Sequence, residues 1–326
     1  MSFPSSLNAA LRASFAFLLL AGCSGNGSQS SVPGPPTQPL AVEQKAPVSA
    51  ASRTSNVTIA SSRITTCPYD RVYVSNYLLG DIEIYPKDWS TSPIPCATLT
   101  HDTLGPSALS VGADGSLYVT NYCCNQISVF PRDEQYPSRR IATAGPPNYA
   151  YVGADGTVYS SEITNQVEEF APGATSATRT LSVAGSQGVA TDSKNNLYVV
   201  SDVFANSKVT GHVLKFAPGA TTGTDLGLTI GPAGAIKIAK DDSLVIGTGS
   251  QVDIFPPGAT VASRSFTTIS PFDIALSNQE SKLYVASSEY AGGVAEYDFN
   301  SGTLLGTIKA GLLEPDGVAY DPPAPY

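Results

Sequence analysis

FAPGAT stands at residues 170–175 and again at 216–221, and FPPGAT stands at 255–260. In each, the Pro presets φ for the second position of a turn. The Gly after it supplies the positive φ that the third position of a type II turn requires. The aromatic before the turn closes a short strand-like run: VEEFAP (167–172), VLKFAP (213–218) and VDIFPP (252–257). The same unit reads IEIYP (82–86), ISVFP (127–131) and VAEYDF (294–299). Its aromatics are Tyr85, Phe130, Phe170, Phe216, Phe255 and Tyr297, spaced by 45, 40, 46, 39 and 42 residues. A period of that length, built of short strands, is the mark of a β-propeller with one four-stranded blade per repeat.

Two further elements accompany each unit. A strand precedes it: RVYVSN (71–76), SLYVTN (116–121), TVYSSE (157–162), NLYVVSD (196–202), SLVIGT (243–248) and KLYVASSE (282–289). Before that lies a run of small and β-branched residues suited to the crowded axis, as in PSALSVGADG (106–115) and PFDIALSNQE (271–280). The first unit lacks this inner run, and the missing copy, EPDGVAYDPP, appears at 314–323. The expected fold is therefore all-β, a six-bladed β-propeller whose ring is closed by the C-terminal strand completing the first blade. The 29 Gly, 25 Pro and 14 % charged residues agree with short strands and tight turns.

LYVTN at 117–121, VYVSN at 72–76 and Pro-Asp-Gly-Val-Ala at 315–319 resemble the NHL and YVTN propeller repeats, and the resemblance covers residues 71–323. It implies the propeller and leaves function open. Such families include lactonases, lyases and peptide- or RNA-binding modules.

The N-terminus reads differently. Residues 13–22, ASFAFLLLAG, form an apolar run too short to span a bilayer, preceded by Arg12. The run ends in Leu20-Ala21-Gly22-Cys23, which resembles the bacterial lipobox. That resemblance implies a signal peptide at 1–22, a lipidated Cys23, and an exported lipoprotein facing the periplasm or the cell exterior. Residues 23–66 hold the lipidated Cys and a Ser-, Pro- and Ala-rich tether that cannot build a core. As a coil it would span roughly 35–40 Å. The propeller is expected at 67–326. The formal net charge of −9 makes nucleic acid a poor partner, so membrane attachment would come from acyl chains. A monomer is expected.

Candidate sites fall in three places. Chain direction gathers the loops after each second strand, and the links between blades, on one face. That face carries Asn76, Tyr77, Asn121, Tyr122, Glu162, Asp202, Phe204, Glu289 and Tyr290, suited to an envelope protein, a peptide or a carbohydrate. Nearer the axis, Asn148, Asp273 and Asp316 offer oxygens of the kind Ca²⁺ takes. Metal-dependent lactonases of the gluconolactonase type hold a metal at such a place, but Ala233 and Phe272 stand where that pattern needs oxygen ligands. Only His101 and His212 are present, with His212 beyond an expected long loop at 203–211, so acid–base chemistry has few candidates. No cofactor is expected beyond this Ca²⁺ alternative, and a binding protein is favoured over an enzyme. A purely structural envelope protein is the third reading. Of the cysteines, Cys67 and Cys96 flank the first blade on one side and are expected to pair. Cys123 and Cys124 are adjacent on the opposite face, where a bond between neighbours would be strained.

Overall fold

A computed structural model describes residues 63–87, 94–205, 207–288, 292–309 and 311–323. Six four-stranded antiparallel sheets are arranged as a six-bladed β-propeller. Blade one holds β1 (Arg71–Asn76), β2 (Asp81–Pro86) and β3 (Ala97–Leu99). Blade two is β4 (Pro106–Val111), β5 (Leu117–Asn121), β6 (Gln126–Phe130) and β7 (Arg139–Ala142). Blade three is β8 (Pro147–Val152), β9 (Val158–Glu162), β10 (Gln166–Phe170) and β11 (Arg179–Ser182). Blade four is β12 (Ser186–Thr191), β13 (Leu197–Ala205), β14 (Lys208–Phe216) and β15 (Thr224–Asp225). Blade five is β16 (Ala233–Ile238), β17 (Leu244–Thr248), β18 (Gln251–Phe255) and β19 (Arg264–Thr267). Blade six is β20 (Asp273–Leu276), β21 (Lys282–Ala286), β22 (Val294–Asp298) and β23 (Leu304–Ile308). β24 (Val318–Asp321) returns to blade one as its inner strand, pairing Arg71 with Asp321 and Val74 with Val318.

The repeated turn behaves as its residues require. Gly173, Gly219 and Gly258 have φ of 79°, 77° and 78°. Each turn is closed by a backbone bond of about 3 Å, from Ala174 to Ala171, Ala220 to Ala217 and Ala259 to Pro256. The aromatic before each turn is buried. Phe130 joins Tyr73, Ile82 and Ile84 of blade one, and Phe216 and Phe255 share a cluster. Each blade thus wedges its third-strand aromatic against a neighbour, which is why the aromatic recurs with the blade.

Blade one, where the ring closes, is held by a disulfide and by a buried ion cluster. Cys67 and Cys96 are joined by a disulfide, with Cα atoms 5.2 Å apart. On the closing pair itself, Asp321 is fully buried between two cations. Arg71 Nε lies 3.3 Å from Asp321 Oδ2, and Arg132 of blade two reaches the same oxygen at 2.7 Å. Arg71 also donates to Asp133 at 2.6 Å. Buried charges are tolerable only when paired in this way.

Two boundaries differ from the sequence reading. The packed body begins before residue 67, because Ile64 is buried in the blade-one core and its amide donates to the Asp133 carbonyl at 2.6 Å. The expected loop at 203–211 is instead the end of a hairpin, with Asp202 opposite Gly211, Phe204 opposite Val209 and Ala205 opposite Lys208. Val203, Val209 and Thr210 are β-branched and suit a strand. The hairpin carries blade four beyond the length of the other blades.

Candidate functional site

One face of the ring is built by the loops after each second strand and by the links into each inner strand. The polar residues that end the second strands sit beneath this surface and hold its loops. Asn76 is buried; its Oδ1 accepts from the Leu313 amide at 2.7 Å, and its Nδ2 donates to the Gly311 carbonyl at 3.0 Å. Asn121, also buried, donates to Ser128 Oγ at 2.8 Å and to the Asp102 carbonyl at 3.1 Å. Asp202 Oδ1 accepts from the Ala233 amide at 3.0 Å, and burial pushes its carboxyl up to about 6. These three side chains pin the links between blades. A ligand on this face would meet what they position rather than their own polar atoms.

Glu162 occupies the same place in blade three but carries an acid. Its Oε2 accepts from Gln166 at 2.7 Å and Thr164 at 3.2 Å. Burial, reinforced by the neighbouring Glu168 carboxyl, raises it to about 7. Glu168 in turn accepts from the Ala144 amide of the link at 3.0 Å. Burial and a like charge act in the same direction on Glu162, both favouring its neutral form.

Exposed apolar side chains gather on part of this face, among exposed polar ones such as Asn125, Thr164 and Lys208. Tyr77 and Tyr122 meet edge to face, with centroids 6.2 Å apart. Leu78, Leu79 and Leu104 are more than half exposed beside them, Ile163 is exposed over blade three, and Phe204 is 72 % exposed on the projecting hairpin. The loops are locked together, since Thr103 donates to the Gly80 carbonyl at 2.7 Å and the Tyr122 amide donates to the Gly105 carbonyl at 3.1 Å. Glu289 and Tyr290 lie outside the described residues.

At the axis, Asn148 and Asp273 are engaged with separate partners. Asn148 Nδ2 donates to Gln187 Oε1 at 2.9 Å. Asp273 sits one residue further along its strand than Asn148 and Asp316 do on theirs: Ile274 opposes Val285 as Val318 opposes Val74. Its Oδ1 accepts its neighbour's Ile274 amide at 2.9 Å, and its Oδ2 accepts from Val318 at 3.1 Å and Leu109 at 3.5 Å. Lys237 Nζ stands 3.8 Å from Asp273 Oδ1. Burial raises the Asp273 carboxyl while Lys237 and the amides lower it. Asp316 is buried nearby. Among the described residues no group of three or more His, Cys, Asp or Glu side chains converges.

The sequence reading missed the residue that fills the axis. Tyr149 crosses from blade three to blade six and stacks on Phe272, with centroids 5.3 Å apart at 19°, while its hydroxyl donates to the Phe272 carbonyl at 2.6 Å. The signal was present in the register. The residues level with Tyr149 in the other blades are Ala108, Gly188, Ala235, Asp273 and Gly317, so it is the one large side chain at that height. Beyond the plug the axis holds a cavity of about 60 Å³, lined by Leu109, Ser110, Tyr151, Lys237, Leu276 and Tyr320 among others. That is room for a few waters, and far below the ~300 Å³ of a small ligand site.

No family model matches the chain, and a search of curated proteins finds no match. The resemblance to NHL and YVTN repeats therefore rests on the quoted motifs alone. Solved structures do match. One is a chain from the crystal structure of a nidogen/laminin complex, with a TM-score of 0.61 and 14 % identity over 77 % of this chain and 98 % of that one. At that identity the likeness shows the propeller fold and nothing finer.

Proposed function

We propose that this protein is an exported, lipid-anchored binding protein whose propeller docks a protein or peptide on the face around Tyr77 and Tyr122. The observation that carries the reading is the exposure of Leu78, Leu79 and Leu104 beside that aromatic pair, on loops that buried Asn76 and Asn121 hold in place. Apolar side chains gathered on a rigid rim are what a partner's apolar anchor would desolvate. The nidogen/laminin neighbour comes from a complex between proteins, which agrees with a partner of that class. The lipobox-like Leu20–Cys23 supports the anchor, and the segment after it supports a tether.

A metal-dependent lactonase would need an open axial site. The Tyr149 plug and an Asp273 that accepts from three backbone amides give it no observation in its favour. The binding reading is tested with full-length protein carrying Leu78→Asp and Leu104→Asp, captured against an envelope extract of the producing cell. The expected result is loss of a partner that wild type retains, with reciprocal capture by that partner. Equal recovery by variant and wild type would remove the face from the argument. Radiolabelled fatty acid should enter wild type and not Cys23→Ser.

A further inference from the structure

Cys123 and Cys124 lie in a single 3-10 turn, Tyr122–Cys124, closed by Asn125 in the left-handed conformation at φ 49° and ψ 48°. Side chains of consecutive residues in such a turn ordinarily diverge. Here both turn toward each other, and the two Sγ atoms are 3.4 Å apart as thiols. Cys123 is exposed and Cys124 partly so, and Cys123 Sγ also donates to the Leu104 carbonyl at 3.0 Å. The other described cysteines are committed to the Cys67–Cys96 bridge. The result is a close, accessible pair of soft donors on the face that carries Tyr77 and Tyr122.

The geometry selects what such a pair can hold. With bonds to sulfur of about 2.3 Å, sulfurs 3.4 Å apart subtend about 95° at a captured atom. That angle fits a pyramidal or tetrahedral centre and excludes linear coordination between two sulfurs. A tetrahedral zinc site needs three or four protein ligands, and among the described residues no His, Asp or Glu joins the pair to make a group of three. A pyramidal centre needs only two sulfurs and keeps one substituent of its own. We propose that Cys123 and Cys124 form a two-sulfur capture site for trivalent arsenicals, thiophilic centres of that shape. With arsenous acid, two As–O bonds break and two As–S bonds form. Both thiol protons leave with the hydroxides as two waters, the third hydroxyl stays on arsenic, and no oxidant or reductant is consumed.

Phenylarsine oxide is the probe, since its phenyl group occupies the third position and its oxygen leaves as one water. Full-length protein is labelled without reductant, washed with a monothiol, and weighed intact. The expected result is one phenylarsenic per chain, resistant to the monothiol and removed by a vicinal dithiol. Cys123→Ser and Cys124→Ser should each lose at least about tenfold of the retained adduct, because one sulfur cannot chelate, and thermal melts should show both variants folded. Cys23→Ser should retain the adduct in full. Equal retention by Cys123→Ser would overturn the proposal, as would loss in Cys23→Ser. So would wild type that takes no label and weighs two hydrogens less, since Cys123 and Cys124 would then be joined to each other.

Discussion

Tyr149 on blade three and Phe272 on blade six meet across the propeller axis, ring on ring and hydroxyl on carbonyl. The contact spans opposite blades and lets Gly234 lie under it: a Cβ there would come within 2.8 Å of the Tyr149 hydroxyl. Tyr149→Phe should cost about 1 kcal/mol, the usual net worth of one hydrogen bond. Tyr149→Ala should cost about 3–5 kcal/mol through the cavity left behind. Gly234→Ala should destabilise by displacing the hydroxyl. Urea titration of the three variants, read by tyrosine fluorescence, checks the order.

Stability should fall as pH rises from about 4.5 through 7. The folded state raises Glu162 to about 7 from an ordinary value of 4.5, and Asp202 to about 6 from 3.8. Between those values the native protein binds more protons than the unfolded chain, so stability is fully present below the lower values and declines as the carboxyls ionise. Glu162→Gln should flatten the upper part of this decline, because an amide does not ionise. Melting temperatures across pH 4 to 8 would show a parallel profile in the variant if the acid pair had no such role.

Asp321→Ala should be among the most damaging single changes. It leaves Arg71 and Arg132 without their shared buried carboxylate, a class of loss worth about 3–5 kcal/mol. Replacing Cys67 and Cys96 together by Ala should cost about 3.5 kcal/mol, from the chain entropy released at their separation of 29 residues. Both changes act where the ring closes. Combined, they should be non-additive, and a double-mutant cycle by denaturant titration measures the coupling.

Neither EDTA nor added Ca²⁺ should move the melting temperature by more than about a degree. The amides of Ile274, Val318 and Leu109 occupy the Asp273 oxygens, and Asn148 is bonded to Gln187. A ligand at 100 times its Kd would stabilise by roughly 2.7 kcal/mol and shift the melt by a few degrees. A fall with EDTA that Ca²⁺ reverses would reinstate the axial metal and the lactonase alternative with it.

The blades were legible because each blade must solve the same packing problem. The aromatics from Tyr85 to Tyr297 recur with it, followed in three blades by a Pro-Gly turn, and counting the aromatics yields the six sheets. What did not recur could not be read that way. Tyr149 fills a place that other blades leave to small residues. The β13–β14 hairpin extends one blade where a length comparison suggested a loop. Glu162 looked like a surface acid because its strand-end position was legible and its burial was not. The thiol pair was visible as adjacent letters, but its angle depends on two side-chain rotations.

The pairing of β24 with β1 sets the two ends of the propeller body side by side on one blade. Chain order around the ring is then a matter of where the loop of polypeptide happens to be cut. Joining residue 323 to residue 63 by a linker and reopening the chain between Gly219 and Gly223 would preserve every strand pair of the ring, because that turn joins two strands of one blade; the bond from Arg179 of blade three to the Ala220 carbonyl, 2.8 Å, is the inter-blade contact placed at the new ends. Such a circular permutant would move the seam to blade four. It would leave the Arg71–Asp321 clasp as an ordinary internal contact and so separate what that ion pair contributes by burial from what it contributes by holding two chain ends together.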